Sequence, residues 1–369
     1  MWQAEMRIDT ATIRDNVAGL RAGTPAALMA VVKADGYGHG AVPSARAALA
    51  GGATWLGVCT LGEAAELRAA GIDAPVLAWL TGTGDDYAAA VRTDVDLSAA
   101  AVGGLDEIAA AAARVGRAAR VHLKVDTGLA RGGATPADWP ALVEAAAKHA
   151  AAGAVEVIGV WSHFVYADVP EHPTTDRQLG VFREALAVAE RIGVTPQLRH
   201  IANSAATLAR PDAHFDLVRP GLACYGLSPI AGRRYGLRPA MTVRARVVLT
   251  KRVPAGTAVA YGHTYTTDRE TTLALLPLGY ADGVPRAASN AGAVLLGGEV
   301  RPVAGRVSMD QIVVDCGDAP VAPGDVATLF GPDRPTVDDW AAAAGTINYE
   351  IVTRFGSARV PRVYEGLDG

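Results

Sequence analysis

The chain has 369 residues, half of them hydrophobic and 20% charged, with a formal net charge of −4. That composition supports a large buried core, excludes disorder as a general state, and with no basic run argues against a nucleic-acid partner. No apolar run approaches a membrane span and the N-terminus shows no signal-peptide core. The three cysteines (Cys59, Cys224, Cys316) are far apart and lack metal-ligand spacing, so a reduced, cytoplasmic setting without membrane or metal is expected.

From about residue 27 to 220, short β-rich runs alternate with Ala-rich helical stretches. The runs are ALMAVV (from Ala27), TWLGVC (Thr54), PVLAWL (Pro75), DVDLSA (Asp94), ARVHLKVD (Ala119), EVIGVWSH (Glu156), LRHIAN (Leu198) and FDLVRP (Phe215). Between them lie stretches such as SARAALAGGA, LGEAAELRAAG and VFREALAVAERIG, the second ending in the glycine that commonly stops a helix. Eight strands, each followed by a crossover, predict a (β/α)8 TIM-type barrel over residues 10–235. A doubly wound sheet could be cut from the same alternation, but it usually uses fewer strands. After GRRYGLRPA the texture changes to β-rich runs separated by Pro-Gly and Gly-Gly turns, with one short helical candidate, TVDDWAAAAG. Residues 236–369 therefore read as a mostly antiparallel β-domain.

In a barrel the reactive groups collect at the C-terminal ends of the strands. Lys33 follows the first strand, within LMAVVKADGYGHGAV. Lys124 and Asp126 end the fifth, with Arg131 in the loop behind them. His163 ends the sixth, Asn203 and Ser204 follow the seventh, and Arg219 ends the eighth, running into RPGLACYG, where Gly221 can offer a backbone N–H to an anion. An amine, an arginine and a phosphate cradle on one rim suggest a phosphorylated aldehyde cofactor held as a Schiff base. Taken singly, each residue has a plainer explanation. Lys33 could be a snorkelling surface lysine, Lys124 and Asp126 an ion pair, His163 a satisfied core histidine, and Ser204 a helix N-cap. The GYGHG spacing does not match the dinucleotide fingerprint. Convergence on one rim favours the functional reading.

These residues resemble one family closely. AVVKADGYGHGA is similar to the cofactor-lysine signature of the pyridoxal-phosphate-dependent alanine racemases. The likeness continues in order through HLKVDTGLARGG, SHF, ANSAA, VRPGLACYG, YGHTY, LGYADG, GRVSMDQ and NYE, across both domains. The resemblance implies a barrel followed by a β-domain that also takes in an N-terminal strand over residues 1–9. It further implies a homodimer whose two active sites are each built from both chains.

Position by position, Lys33 resembles the Schiff-base lysine. Tyr37, Ser204, Gly221, Leu222 and Tyr349 resemble the phosphate-binding set. Arg219 matches the arginine facing the pyridine nitrogen, His163 resembles its supporting partner, and Asn203 and Trp79 fall beside the cofactor. Arg131 resembles the arginine near the substrate carboxylate, and Lys124 a lysine that is often carbamylated in this family. From the partner subunit's β-domain, Tyr261 resembles the second catalytic base, and Tyr280, Met309 and Asp310 the residues lining the substrate pocket. Two departures stand out: Ser308 where the family often has Cys, and Trp79 where a smaller residue is common. The resemblance implies racemisation of alanine by two opposed bases. A broader or serine-preferring racemase, a basic-amino-acid decarboxylase and a cofactor carrier without turnover remain as alternatives. Arg219 argues against the decarboxylase, which needs an acid at that place, and Tyr261 against the carrier, which needs no second base.

Overall fold

The computed structural model describes residues 2–366; Met1 and residues 367–369, which the sequence reading gives to the β-domain, lie outside the described residues. The chain divides into two units. One comprises residues 13–36 and 40–237; the other gathers the N-terminal residues through Thr12, Tyr37–His39 and the chain from Arg238 onward. Strand β1 (Ala4–Asp9) begins in the second unit before the chain enters the first.

All eight runs in the first unit form strands: β2 (Ala27–Val31), β3 (Trp55–Val58), β4 (Val76–Ala78), β5 (Val95–Ala99), β6 (Ala119–Lys124), β7 (Val155–Trp161), β8 (Leu198–His200) and β9 (Leu217–Val218). They pair in parallel in the order β8-β7-β6-β5-β4-β3-β2-β9. Strands covered on both faces need apolar side chains at nearly every position, which is why they read as apolar runs. The two ends of the sheet meet, because the Asp216 N–H donates to Arg199 O at 3.1 Å and the Arg219 N–H to Ala202 O at 2.9 Å. A TIM-like barrel results. Its interior includes the buried cluster Met29, Leu77 and Leu217, with Trp55 and Trp79 packed against it.

One register shift bears on the site. Val121 of β6 lies opposite Val157 of β7, but His122 lies opposite Gly159, so Ile158 is an extra residue in β7. A bulge of this kind re-aims side chains. Gly159 is required there, since a Cβ would sit 2.2 Å from His122 Nδ1. Between the strands, alanine-rich helices are ended by ordinary local chemistry. The helix Leu61–Ala69 starts with a Thr60/Glu63 capping box, and Val102–Val115 stops at Gly116 in the left-handed region.

In the second unit, β10 (Met241–Arg246), β11 (Leu249–Val253), β12 (Ala258–Val259), β13 (Tyr265–Thr266), β14 (Thr271–Leu276), β15 (Ala293–Leu296), β16 (Glu299–Pro302), β17 (Ile312–Asp315), β18 (Val326–Phe330) and β19 (Arg362–Glu365) build three sheets. A six-stranded sheet has the order β16-β15-β18-β10-β1-β19, a three-stranded one the order β11-β14-β17, and β12 and β13 form a ribbon. Strand β1 is interior to its sheet, antiparallel to β10 (Ala4 opposite Ala245) and parallel to β19 (Met6 opposite Arg362). The TVDDWAAAAG segment forms the helix Val337–Ala344, capped by Thr336. No helix among the described residues is long and apolar enough to cross a membrane.

Candidate active site

Lys33 sits directly after β2, half-buried, at the head of a left-handed turn. Ala34, Asp35 and Gly36 have φ/ψ near 52/49, 52/51 and 60/40, and Tyr37 has φ 54. Left-handed backbone costs an L-residue about 1–2 kcal/mol, so three non-glycine residues there need support. Support comes from fixed partners. The Ala34 N–H donates to Glu63 Oε1 at 2.7 Å, the Gly36 N–H to Val32 O at 2.9 Å, and the Gly40 N–H to Asp35 O at 2.9 Å. The Asp35 carboxylate accepts the Ala41 N–H at 2.9 Å. The turn aims the Lys33 amine, which forms no hydrogen bond or ion pair among the described residues and lies 5.9 Å from the Trp79 ring centre. Trp79 has room because its neighbour is Gly57, where a Cβ would come within 2.5 Å of the indole.

The residues expected to meet a phosphate lie after β8 and β9. The cap of the helix Ser204–Ala209 is Asn203, whose side chain accepts the Ala206 N–H at 3.1 Å, and not Ser204. Ser204 does something else. Its buried hydroxyl oxygen accepts the N–H groups of Gly221 (2.8 Å) and Ala223 (3.3 Å), which leaves its own proton to donate outward. That proton has no acceptor among the described residues, and a phosphate oxygen is the acceptor it suits. Leu222, the first residue of the turn Leu222–Tyr225, adds its backbone N–H.

Arg219 is buried and touches no carboxylate among the described residues. Its Nη1 donates to His200 Nδ1 at 3.0 Å and its Nη2 to Ser162 O at 2.9 Å, while its guanidinium lies 4.9 Å from the Trp161 ring centre. The supporting partner of Arg219 is thus His200; His163, which the resemblance suggested, forms no ring hydrogen bond among the described residues. Burial pushes the Arg219 guanidinium down to about 9, which still leaves it charged at neutral pH. His163 is held well below the ordinary histidine range by burial first, then by Arg219, Arg131, Lys124 and Lys33. It stands neutral among four cations.

Lys124 and Asp126 do not form an ion pair. The Asp126 carboxylate instead caps its own turn, accepting the N–H groups of Gly128, Leu129 and Ala130 at 2.8–3.2 Å. Lys124 lies with its amine 4.4 Å from the Trp161 ring centre. Burial, followed by Arg219 and Arg131, lowers that amine to about 8. Arg131 is exposed and has no ion-pair partner among the described residues. Lys33, Lys124, Arg131 and Arg219 thus form an electropositive rim with no carboxylate paired to any of them among the described residues. An unpartnered amine, a hydroxyl with a spare proton and a buried guanidinium with unused N–H groups fit a phosphorylated, anionic carbonyl cofactor.

The second unit holds the other expected residues. The rings of Tyr37 and Tyr349 lie 6.2 Å apart. Gly38 lies so close to the helix Asn348–Arg354 that a Cβ would come within 2.2 Å of Val352 O. Tyr280 and Met309 come from two loops joined by backbone bonds, the Tyr280 N–H to Ser308 O and the Ala281 N–H to Met309 O, both at 3.0 Å. Asp310 pairs with Arg359, which also reaches the buried Asp282 at 2.9 Å. Tyr261 rides on a tight turn in which Ala260, Gly262 and His263 all have positive φ. That turn abuts Gly305, where a Cβ would meet Val259 O at 2.8 Å. Tyr261 is 71% exposed and Met309 54%.

Sequence reasoning missed Glu63, His122, His200 and Asp96. Asp96, His122 and His200 are titratable residues inside runs otherwise apolar, a signal that buried polar groups were paired there. Glu63 was visible only as part of a helix.

Comparison with known proteins bears on both units. Residues 8–229 match the family model of the alanine racemase N-terminal domain, and residues 240–364 that of the C-terminal domain. The chain is 68% identical over 369 residues to an alanine racemase of Salinispora tropica, covering 99% of each. Among solved structures it resembles the alanine racemase of D-cycloserine-producing Streptomyces lavendulae (TM-score 0.97, 54% identity, 99% of this chain and 98% of that one). It is also similar to the alanine racemase of Streptomyces coelicolor A3(2) (TM-score 0.96, 55% identity, 98% of both chains).

Proposed function

The chain belongs to the alanine racemase family of pyridoxal-phosphate-dependent isomerases, and we propose that it interconverts L-alanine and D-alanine with two bases, Lys33 and Tyr261 of the partner subunit. Inverting one carbon requires that a proton leave one face and another arrive on the opposite face, so one base on each side is the direct solution. Pyridoxal phosphate, when bound, supplies the electron sink that acidifies the α-proton. Lys33 Nζ would hold the cofactor through its carbonyl carbon and, as a free amine, would take or return the proton on its own face.

The Ser204 hydroxyl and the N–H groups of Gly221 and Leu222 bind the phosphate, with Tyr37 and Tyr349 contributing hydroxyls. Asn203, His163 and Trp79 would line the space for the ring. Arg219 would hold the ring nitrogen as a donor that keeps its own proton, and a ring nitrogen left neutral would disfavour transamination. Arg131 orients the substrate carboxylate. Lys124, with its amine near 8, has a neutral fraction at neutral pH able to add carbon dioxide. As a carbamate it would make a charge-assisted bond to Arg131 in place of a repulsion. Tyr280, Met309 and Asp310 of the partner subunit close the pocket around the methyl group, in a cytoplasmic homodimer.

The observation that carries this reading is the unpartnered Lys33 amine, aimed by a strained turn into a rim of cations. Purified protein given D-alanine should yield L-alanine, followed by chiral chromatography. Tyr261→Phe should abolish the conversion while the yellow colour of bound cofactor remains. No conversion of either enantiomer, or faster turnover of serine in a substrate screen, would sink the assignment.

A further inference from the structure

A chain of buried polar groups runs away from Arg219 into the barrel. His200 Nδ1 lies 3.0 Å from Arg219 Nη1, and His200 Nε2 lies 2.9 Å from His122 Nδ1. His122 Nε2 lies 3.1 Å from Asp96 Oδ2, and Asp96 is gripped by Arg120 at 2.7 and 3.2 Å. Both imidazoles and the carboxylate are essentially inaccessible to water. Trp161 stacks on His200 and Trp55 meets His122 edge-on, so aromatic walls replace any other partner.

This chain admits one arrangement of protons. An arginine can only donate, so His200 Nδ1 must present a lone pair, and its proton sits on Nε2. That proton requires a lone pair on His122 Nδ1, which places the His122 proton on Nε2. The carboxylate of Asp96 is the acceptor that the last proton demands. Reasoning from either end gives the same answer, with both imidazoles neutral; burial also lowers both histidines.

We propose that Asp96 is a positioning residue for Arg219: acting through His122 and His200, it fixes the tautomer that turns a lone pair, and not a proton, toward the guanidinium. Without this acceptor only Arg219 opposes the opposite tautomers, in which an N–H would face an N–H at the guanidinium. The guanidinium would then turn aside. An asparagine cannot replace Asp96, since its single oxygen serves either Arg120 or His122. Its amide group would meet the other, and if it met His122 it would invert both imidazoles. The consequence for the cofactor rests on the reading above, that Arg219 faces the ring nitrogen; the tautomers themselves do not.

The test is 15N NMR of histidine-labelled holoenzyme, which reports which ring nitrogen carries the proton. In the wild type, His122 and His200 should both be protonated on Nε2. In Asp96→Asn, the His200 signal should shift toward protonation on Nδ1, and the cofactor dissociation constant, read from its visible absorbance, should rise tenfold or more. In His122→Gln, which leaves the Arg120–Asp96 pair intact, adding Asp96→Asn should weaken cofactor binding no further. A wild-type His200 protonated on Nδ1, or an unchanged His200 in Asp96→Asn, overturns the proposal. So does inversion of the tautomers with cofactor affinity unmoved while Arg219→Lys weakens it. If Arg219→Lys itself leaves cofactor affinity unchanged, the fault lies with the placement of Arg219 and the role given to Asp96 falls with it.

Discussion

Replacing Glu63 with alanine should loosen the turn that aims Lys33 without touching Lys33. Its two carboxylate oxygens accept three backbone N–H groups: Ala34 at 2.7 Å, Cys59 at 2.6 Å and Thr60 at 3.1 Å. Charge-assisted bonds to backbone contribute about 1.5–3 kcal/mol each when buried, and Glu63 is only half-buried, so about 2–4 kcal/mol is at stake in total. Against this stand Ala34, Asp35 and Tyr37, whose left-handed conformations together cost roughly 3–6 kcal/mol. Losing the brace therefore moves a nearly balanced local equilibrium. Every 1.4 kcal/mol is tenfold, so amide exchange at Ala34 and its neighbours should accelerate roughly 30- to 1000-fold. Hydrogen exchange of a peptide spanning Lys33 to Gly40 measures this directly. Glu63→Gln, which keeps one acceptor oxygen, should fall between the two. Exchange within twofold of wild type in Glu63→Ala would refute the reasoning, because the turn would then be held by something other than Glu63.

Three other outcomes follow from particular contacts. Gly159→Ala should destabilise the barrel by about 1–3 kcal/mol, because its Cβ would press on His122 Nδ1; thermal unfolding would show it, and an unchanged midpoint would contradict it. Lys124 binds its proton less tightly when folded (about 8) than when unfolded (10.5), so its contribution to stability is complete above 10.5 and falls away as the pH drops toward 8. Urea midpoints in carbon-dioxide-free buffer should rise across that window, and Lys124→Met should flatten the rise. Arg219→Glu should slow racemisation by roughly 100-fold or more and increase pyruvate formed from alanine; unchanged partitioning would count against the role given to Arg219.

The barrel was legible because parallel strands buried on both faces leave apolar runs, and eight of them appear in order between Ala27 and Val218. The rim was legible because position at a strand's end is itself information, so Lys33, Lys124, His163 and Arg219 could be gathered without coordinates. What lay inside the barrel was harder. Period-two patterning cannot say which face a residue takes when both faces are buried, and the bulge at His122 shifts the count besides. The connection from Asp96 to His200 spans three separate strands and leaves no local trace. The turn after Lys33 shows a similar limit. Glycines at 36, 38 and 40 announce unusual backbone, but Ala34, Asp35 and Tyr37 share it, braced in part by a glutamate from the next βα unit.

The place of β1 has a consequence for the order of folding. Its neighbours β10 and β19 are synthesised only after the whole barrel, and the Asp9 N–H bonds to Ala240 O at 2.9 Å. The whole barrel is thus one excursion between two adjoining strands. Closing a disordered excursion of roughly 230 residues costs about 5 kcal/mol in chain entropy. A barrel already folded, with its ends no longer free to wander, removes most of that cost. The barrel should therefore form first and the sheet around β1 last, since sequence-distant pairings are the slow ones. Unfolding should run the other way. The sheet around β1 should open before the barrel does.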